Sequence, residues 1–201
     1  AMANRNVLFS LFLGVLCLAS CQDRGTSVKA VIAPEKGFDI RKAETVRDVN
    51  DAVLQVALNE VGQREVKTNW SPRIKQYLAI CGIRNPAYWC GAFTAFVQDS
   101  CGLPYPDGCA WTPNWFTKDR VYWNRGDRFS QARPGTQLGI YFDSKRRIAH
   151  IGIIYRVDLE QGVYETIEGN ATKNTNSNNG DVVYIKLRDP WAIYQMADWT
   201  K

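Results

Sequence analysis

The chain has 201 residues, 45% of them hydrophobic and 12% aromatic, enough apolar side chain for one globular core plus an appendage. Lys and Arg outnumber Asp and Glu by 25 to 20, a formal charge of +5, yet they form no cluster of the kind that tracks a nucleic-acid backbone. A single histidine and the absence of any CxxC pair exclude the common zinc-ligand spacings, so no metal site is expected.

The first 21 residues read as a targeting segment. Arg5 precedes an apolar run from Val7 to Ala19, shorter than the roughly 20 residues that a membrane span needs. The run ends in Leu18-Ala19-Ser20-Cys21 before polar Gln22-Asp23-Arg24. That ending resembles a bacterial lipobox, which implies lipidation at Cys21 and an exported lipoprotein held on a membrane in the cell envelope. An ordinary secretory signal with an incidental Cys21 is the alternative. Residues 22–44 lack a sustained period and read as a tether, leaving 45–201 as the folded domain.

From Val46 the spacing turns helical, with Val49, Val53, Val56, Ala57 and Val61 near a 3.6 period, and Gly62 ends it. A second helix starts at Ser71-Pro72, a Ser N-cap with Pro at N1. It carries Ile74, Tyr77, Leu78 and Cys81 on one face and stops at Gly82. A third helix runs from Cys90 to about Cys101, and Thr112-Pro113 opens a short fourth with Trp115 and Phe116. After Arg133-Pro134-Gly135 the pattern changes to strands: 137–142, 148–155, 163–168 and 182–187, rich in Ile, Val and Tyr. Residues 169–180 read as a long surface loop. Helices followed by antiparallel strands predict an α+β domain with the helices packed on an antiparallel sheet.

An exported chain can oxidise two of Cys81, Cys101 and Cys109 and leave one over. Cys101 and Cys109 enclose a turn-rich loop that favours their pairing, with Cys81 as the alternative partner for either.

Two segments carry the chemistry. Cys90 opens a helix, where the dipole and free N–H groups favour a thiolate. His150, the sole histidine, opens the apolar β-type run His150-Ile151-Gly152-Ile153-Ile154-Tyr155 and is the one imidazole available as a base. An acyl-transferring thiol also needs a group to orient the imidazole. The strand Val163–Asn170 ends in Glu168-Gly169-Asn170, and the close of one strand neighbours the opening of the strand before it in an antiparallel pair. Glu168 or Asn170 is therefore placed to accept the imidazole N–H, while alternation turns Glu165 to the other face. A buried structural thiol and a packing histidine are the bland alternatives. Asn170 after Gly169 is also common turn chemistry.

These residues bring a family into view. Tyr88-Trp89-Cys90-Gly91-Ala92-Phe93, Pro134-Gly135, Ala149-His150-Ile151-Gly152-Ile153-Ile154 and Thr166-Ile167-Glu168-Gly169-Asn170, in that order, resemble the CHAP (cysteine, histidine-dependent amidohydrolase/peptidase) domain. Asn69 and Tyr77-Leu78, upstream, are similar to features of a bacterial subgroup of that family. The resemblance spans roughly residues 50–188. It implies a compact papain-like fold and hydrolysis of amide bonds in peptidoglycan without metal or organic cofactor, an anionic partner that suits the mild positive charge. It also implies Cys90 as nucleophile, His150 as base, Glu168 as orienting carboxylate and Asn170 as a helper at the rim. The family usually places an Asp after the Pro-Gly turn; Thr136 stands there instead.

Trp89, beside the thiol, is expected to wall the cleft. Trp111 and Trp115 are candidates to line a groove for glycan or peptide, the alternative being core packing or loop anchoring. Arg146-Arg147 reads as a solvated hairpin tip or as a contact for a stem-peptide carboxylate. A monomer is expected. The competing readings are a non-catalytic module that binds wall peptides and a thiol amidase or acyltransferase acting on a substrate other than peptidoglycan.

Overall fold

A computed structural model describes residues 46–172 and 180–201. The lipidation expected at Cys21, the tether and most of the long loop after Thr172 lie outside the described residues. Three helices come first: α1 (Val46–Asn59), α2 (Pro72–Ile80) and α3 (Cys90–Ser100). They are followed by six strands: β1 (Val121–Asn124), β2 (Gln137–Phe142), β3 (Arg147–Asp158), β4 (Val163–Ala171), β5 (Val182–Arg188) and β6 (Gln195–Ala197). The strands form one antiparallel sheet in the order β1-β6-β2-β3-β4-β5. The domain is therefore α+β, as the pattern predicts. Among the described residues no helix is long and apolar enough to cross a membrane.

The helix boundaries follow from local chemistry. Ser71 caps α2 by accepting the Ile74 N–H at 3.2 Å, with Pro72 in the first turn where its missing N–H costs nothing. Gly62 and Gly82 follow α1 and α2 at φ +95° and +72°, the left-handed conformation that ends a helix. The helices bury Val53, Ala57, Ile74, Leu78, Phe93 and Val97 against Ile153 of β3 and Ile167 of β4. The opposite face of the sheet covers Leu138, Ile154, Tyr164 and Met196 with Trp123.

Two expectations about the cysteines and strands change. The disulfide joins Cys81 to Cys109, with Cα atoms 5.7 Å apart, and Cys101 is free and buried. The short Cys101–Cys109 loop loses because α3 continues to Ser100 and turns Cys101 into the helical core beside Val97. The sheet also holds β1 and β6, which have no counterpart among the predicted strands. The strand after Glu168 continues to Ala171 instead of yielding at once to loop.

Candidate active site

Cys90 is the first residue of α3. Trp89 caps that helix with no side-chain hydrogen bond, and the first turn contains no acidic residue. The positive end of the helix is thus left for an anionic group. The backbone N–H groups of Gly91 and Ile151 favour the ionised form of the Cys90 sulfur. Gly91 permits a close approach: a Cβ there would fall 2.5 Å from the carbonyl oxygen of Cys109.

His150 reaches the site through an irregularity in β3. Ile140 pairs with His150 and Tyr141 with Ile148, so Ala149 is a bulge residue immediately before the histidine. The imidazole Nε2 lies 2.8 Å from Glu168 Oε2. An ionised carboxylate only accepts, so Nε2 carries the proton and Nδ1 is the nitrogen left to hydrogen-bond with the Cys90 thiol.

Glu168 is fully enclosed and its two oxygens are saturated. Oε1 accepts from Thr166 Oγ1 and from Arg188 Nε, each at 2.7 Å. Oε2 accepts from Arg188 Nη2 at 2.5 Å in addition to the imidazole. The bidentate guanidinium is the geometry in which arginine holds a carboxylate best. Arg188 and Thr166 are the site residues that sequence reasoning misses. Their signal is alternation: Tyr164, Thr166 and Glu168 share one face of β4, and the β4–β5 register puts Lys186 and Arg188 on the same face.

The ionisation states follow from these contacts. Burial alone would raise the Cys90 thiol, but the hydrogen bond and charge of His150, helped by the two backbone N–H groups, bring it below its ordinary value. Burial opposes the imidazolium, yet the Glu168 charge and the contact with Cys90 raise His150 to about 9. Burial would likewise raise Glu168, and Arg188 with His150 outweighs it and holds the carboxyl well below its usual range. Depressed thiol and raised imidazole together favour the thiolate–imidazolium pair over the neutral pair.

A cleft of about 610 Å³ opens onto this group, and Cys90, His150, Glu168, Asn170 and Trp111 all line it. Asn170 sits in a second bulge, between the pairs Glu168–Tyr184 and Ala171–Val182, at φ +52°. Its buried Oδ1 has no partner among the described residues, and Glu168 rather than Asn170 accepts the imidazole N–H. Trp89 and Trp115 do not line the cleft. Trp89 is fully buried against Tyr77 and donates its indole N–H to Glu65 Oε1 at 2.9 Å. Trp115 is equally enclosed, packed on Trp199, with its N–H on the Cys109 carbonyl at 2.8 Å. Both indoles spend their polar edge inside the protein, so neither presents a surface to a ligand. Thr136, where the family pattern has Asp, is buried away from the cleft and hydrogen-bonds to the Arg133 carbonyl at 2.6 Å and the Tyr122 hydroxyl at 2.8 Å. It is a turn and strand-entry residue.

The arrangement brings a thiol with a depressed pKa, an imidazole and a locked carboxylate to one open cleft. No family model matches this chain, and no curated protein or solved structure matches it.

Proposed function

We propose that the protein is a cysteine amidohydrolase or peptidase of the CHAP kind, with a papain-like arrangement of helix and sheet, that cleaves amide bonds in peptidoglycan. The observation that carries this reading is the chain of contacts Cys90–His150–Glu168, anchored by the 2.8 Å imidazole–carboxylate bond and opening onto a cleft. In this mechanism the Cys90 thiolate attacks the amide carbonyl and the tetrahedral oxyanion takes the Cys90 backbone N–H at the helix terminus. The His150 imidazolium gives its Nδ1 proton to the leaving amine as the C–N bond breaks. A water molecule then loses a proton to His150, attacks the thioester and releases the carboxylic acid and the thiol. The export and lipidation signature around Cys21 supports an envelope-bound monomer acting where peptidoglycan lies.

The test is digestion of purified sacculi followed by mass spectrometry of the released muropeptides. Wild-type protein is expected to create one new peptide terminus, whose identity names the bond cut. Cys90→Ala and His150→Ala are expected to release none while keeping their melting temperatures within a few degrees. Release by either variant, or no new terminus from the wild type, overturns the reading. In the latter case substrate-binding without cleavage, or cleavage of a different amide, takes its place.

A further inference from the structure

The cleft carries unneutralised positive charge at one end. Lys145 and Arg147 stand at the hairpin between β2 and β3 and line the cleft together with Trp111 and Tyr88, which are 52% and 61% exposed. The Arg147 guanidinium carbon lies 3.9 Å from the centre of the Trp111 ring. Its Nη1 donates to the Ile148 carbonyl at 3.0 Å and to Thr112 Oγ1 at 3.4 Å. Lys145 Nζ lies 5.5 Å from the Tyr88 ring and 5.6 Å from that of Phe142. Among the described residues neither cation has a carboxylate partner, and the one acidic side chain lining the cleft, Glu168, has its lone pairs filled by Thr166, His150 and Arg188.

A guanidinium stacked on an indole and pinned through one nitrogen loses little freedom when it binds, and its remaining donors form the fork that fits a carboxylate. Its position also sets a distance. Arg147 precedes His150 by three residues on β3, which at about 3.3 Å per residue is roughly 10 Å, shortened somewhat by the bulge at Ala149. An extended peptide covers that span in about three residues.

We propose that Arg147, with Trp111 as its platform and Lys145 beside it, is a carboxylate-binding subsite that selects peptides with a free carboxylate about two to three residues from the scissile amide. The inference rests on the amidohydrolase reading above, and binding separates the two.

The probe is a purified tetrapeptide stem released from peptidoglycan, compared with the same peptide after conversion of its carboxylates to methylamides. Binding is measured by titration calorimetry on Cys90→Ala protein, which cannot turn over. At low ionic strength the free acid is expected to bind at least ten-fold tighter than the methylamide. The gap should narrow with added salt and close to within two-fold in Cys90→Ala/Arg147→Ala protein. Arg147→Lys keeps the charge without the fork and should retain about a third of the discrimination; Trp111→Ala should lose a similar share. Equal binding of the two peptides, no binding of either, or discrimination that survives Arg147→Ala overturns the subsite. Discrimination in binding with no muropeptide release from sacculi by wild type sustains the subsite and overturns the hydrolase reading instead.

Discussion

Gly152 lies directly beneath Glu168: a Cβ at position 152 would fall 2.6 Å from Glu168 Cγ and 3.2 Å from the Ile167 carbonyl oxygen. The missing side chain lets the buried carboxylate lie across β3 and reach the imidazole two residues away. Gly152→Ala therefore forces the carboxylate aside in a close-packed interior, at a cost of about 1–3 kcal/mol. We expect a fall in kcat of about ten-fold, consistent with partial loss of general acid–base function. Adding Glu168→Asp shortens the obstructing side chain and should recover stability but not activity. Thermal melts and steady-state rates on the single and double variants check this, and full activity in Gly152→Ala would show that the carboxylate needs no such room.

The pH profile follows from the two coupled groups. The active pair exists once the depressed Cys90 thiol has ionised and while His150 keeps its proton, so kcat/KM should fall as pH rises through about 9. Glu168→Gln removes the charge that opposes the desolvation of the imidazolium, so the alkaline limb should move to lower pH. The stability sign is fixed too. A His raised from 6.5 to about 9 contributes fully below pH 6.5, and its contribution is lost as pH climbs through about 9. Iodoacetamide near pH 6–7 should label Cys90 and spare Cys101, whose burial pushes its thiol up to about 12. Rates and labelling from pH 5 to 10 measure all of this; an alkaline limb unmoved by Glu168→Gln would separate Glu168 from the imidazole.

Arg188 is what permits a fully enclosed glutamate to stay charged. Burial acts against the Glu168 carboxylate, and the bidentate guanidinium is the strongest of the contacts that offset it. Arg188→Leu removes the partner of a buried charge, a change that costs about 3–5 kcal/mol. Arg188→Leu/Glu168→Gln leaves no buried ion and should recover at least half of that loss. A depressed glutamate contributes its full stability above its ordinary pKa of 4.5 and loses it as pH falls below that value, so the Arg188→Leu penalty should be smaller at pH 3 than at pH 7. Denaturant melts at the two pH values test the sign; a penalty independent of pH would place the effect in packing instead.

Much of this architecture is legible in the chain because its signals are local. The Ser71-Pro72 start, the Gly82 stop and the 3.6 spacing in α1 and α2 are written within a few residues of where they act. The long strands β2 to β5 announce themselves by β-branched and aromatic runs, and their antiparallel order brings the Glu168 carboxylate to His150. What is not legible depends on partners far away in sequence. β1 and β6 have four and three residues, too few to show a period; β1 is a strand because it pairs with β6, and β6 because it pairs with both β1 and β2. Arg188 looks like any arginine at a strand end until the β4–β5 register is known. Trp89 and Trp111 are both tryptophans that the sequence offers for the cleft, yet helix packing encloses the first and a loop exposes the second. Cysteine pairing fails for the same reason, since the local loop between Cys101 and Cys109 competes with a bridge across 28 residues that only the packing of α2 reveals.

That bridge makes the last prediction. Cys81 closes α2, and Cys109 belongs to the segment that continues through Ala110 and Trp111 into the cleft wall. The Cys109 carbonyl accepts from Trp115 Nε1 and presses on the Gly91 backbone at the start of α3. The disulfide thus ties a cleft wall to the end of α2, where it also rests on the start of α3 at Gly91. In the chain-entropy view, opening a cross-link across 28 residues costs about 3–4 kcal/mol, a fall in melting temperature of about 10 °C for a domain of this size. Cys81→Ser/Cys109→Ser protein should show that drop and a raised KM, because the wall carrying Trp111 is then held by non-covalent contacts alone. Peptide mapping of non-reduced protein should find a linked Cys81–Cys109 pair. A linked Cys101–Cys109 pair would contradict it, as would a double-serine variant as stable and as active as the oxidised protein.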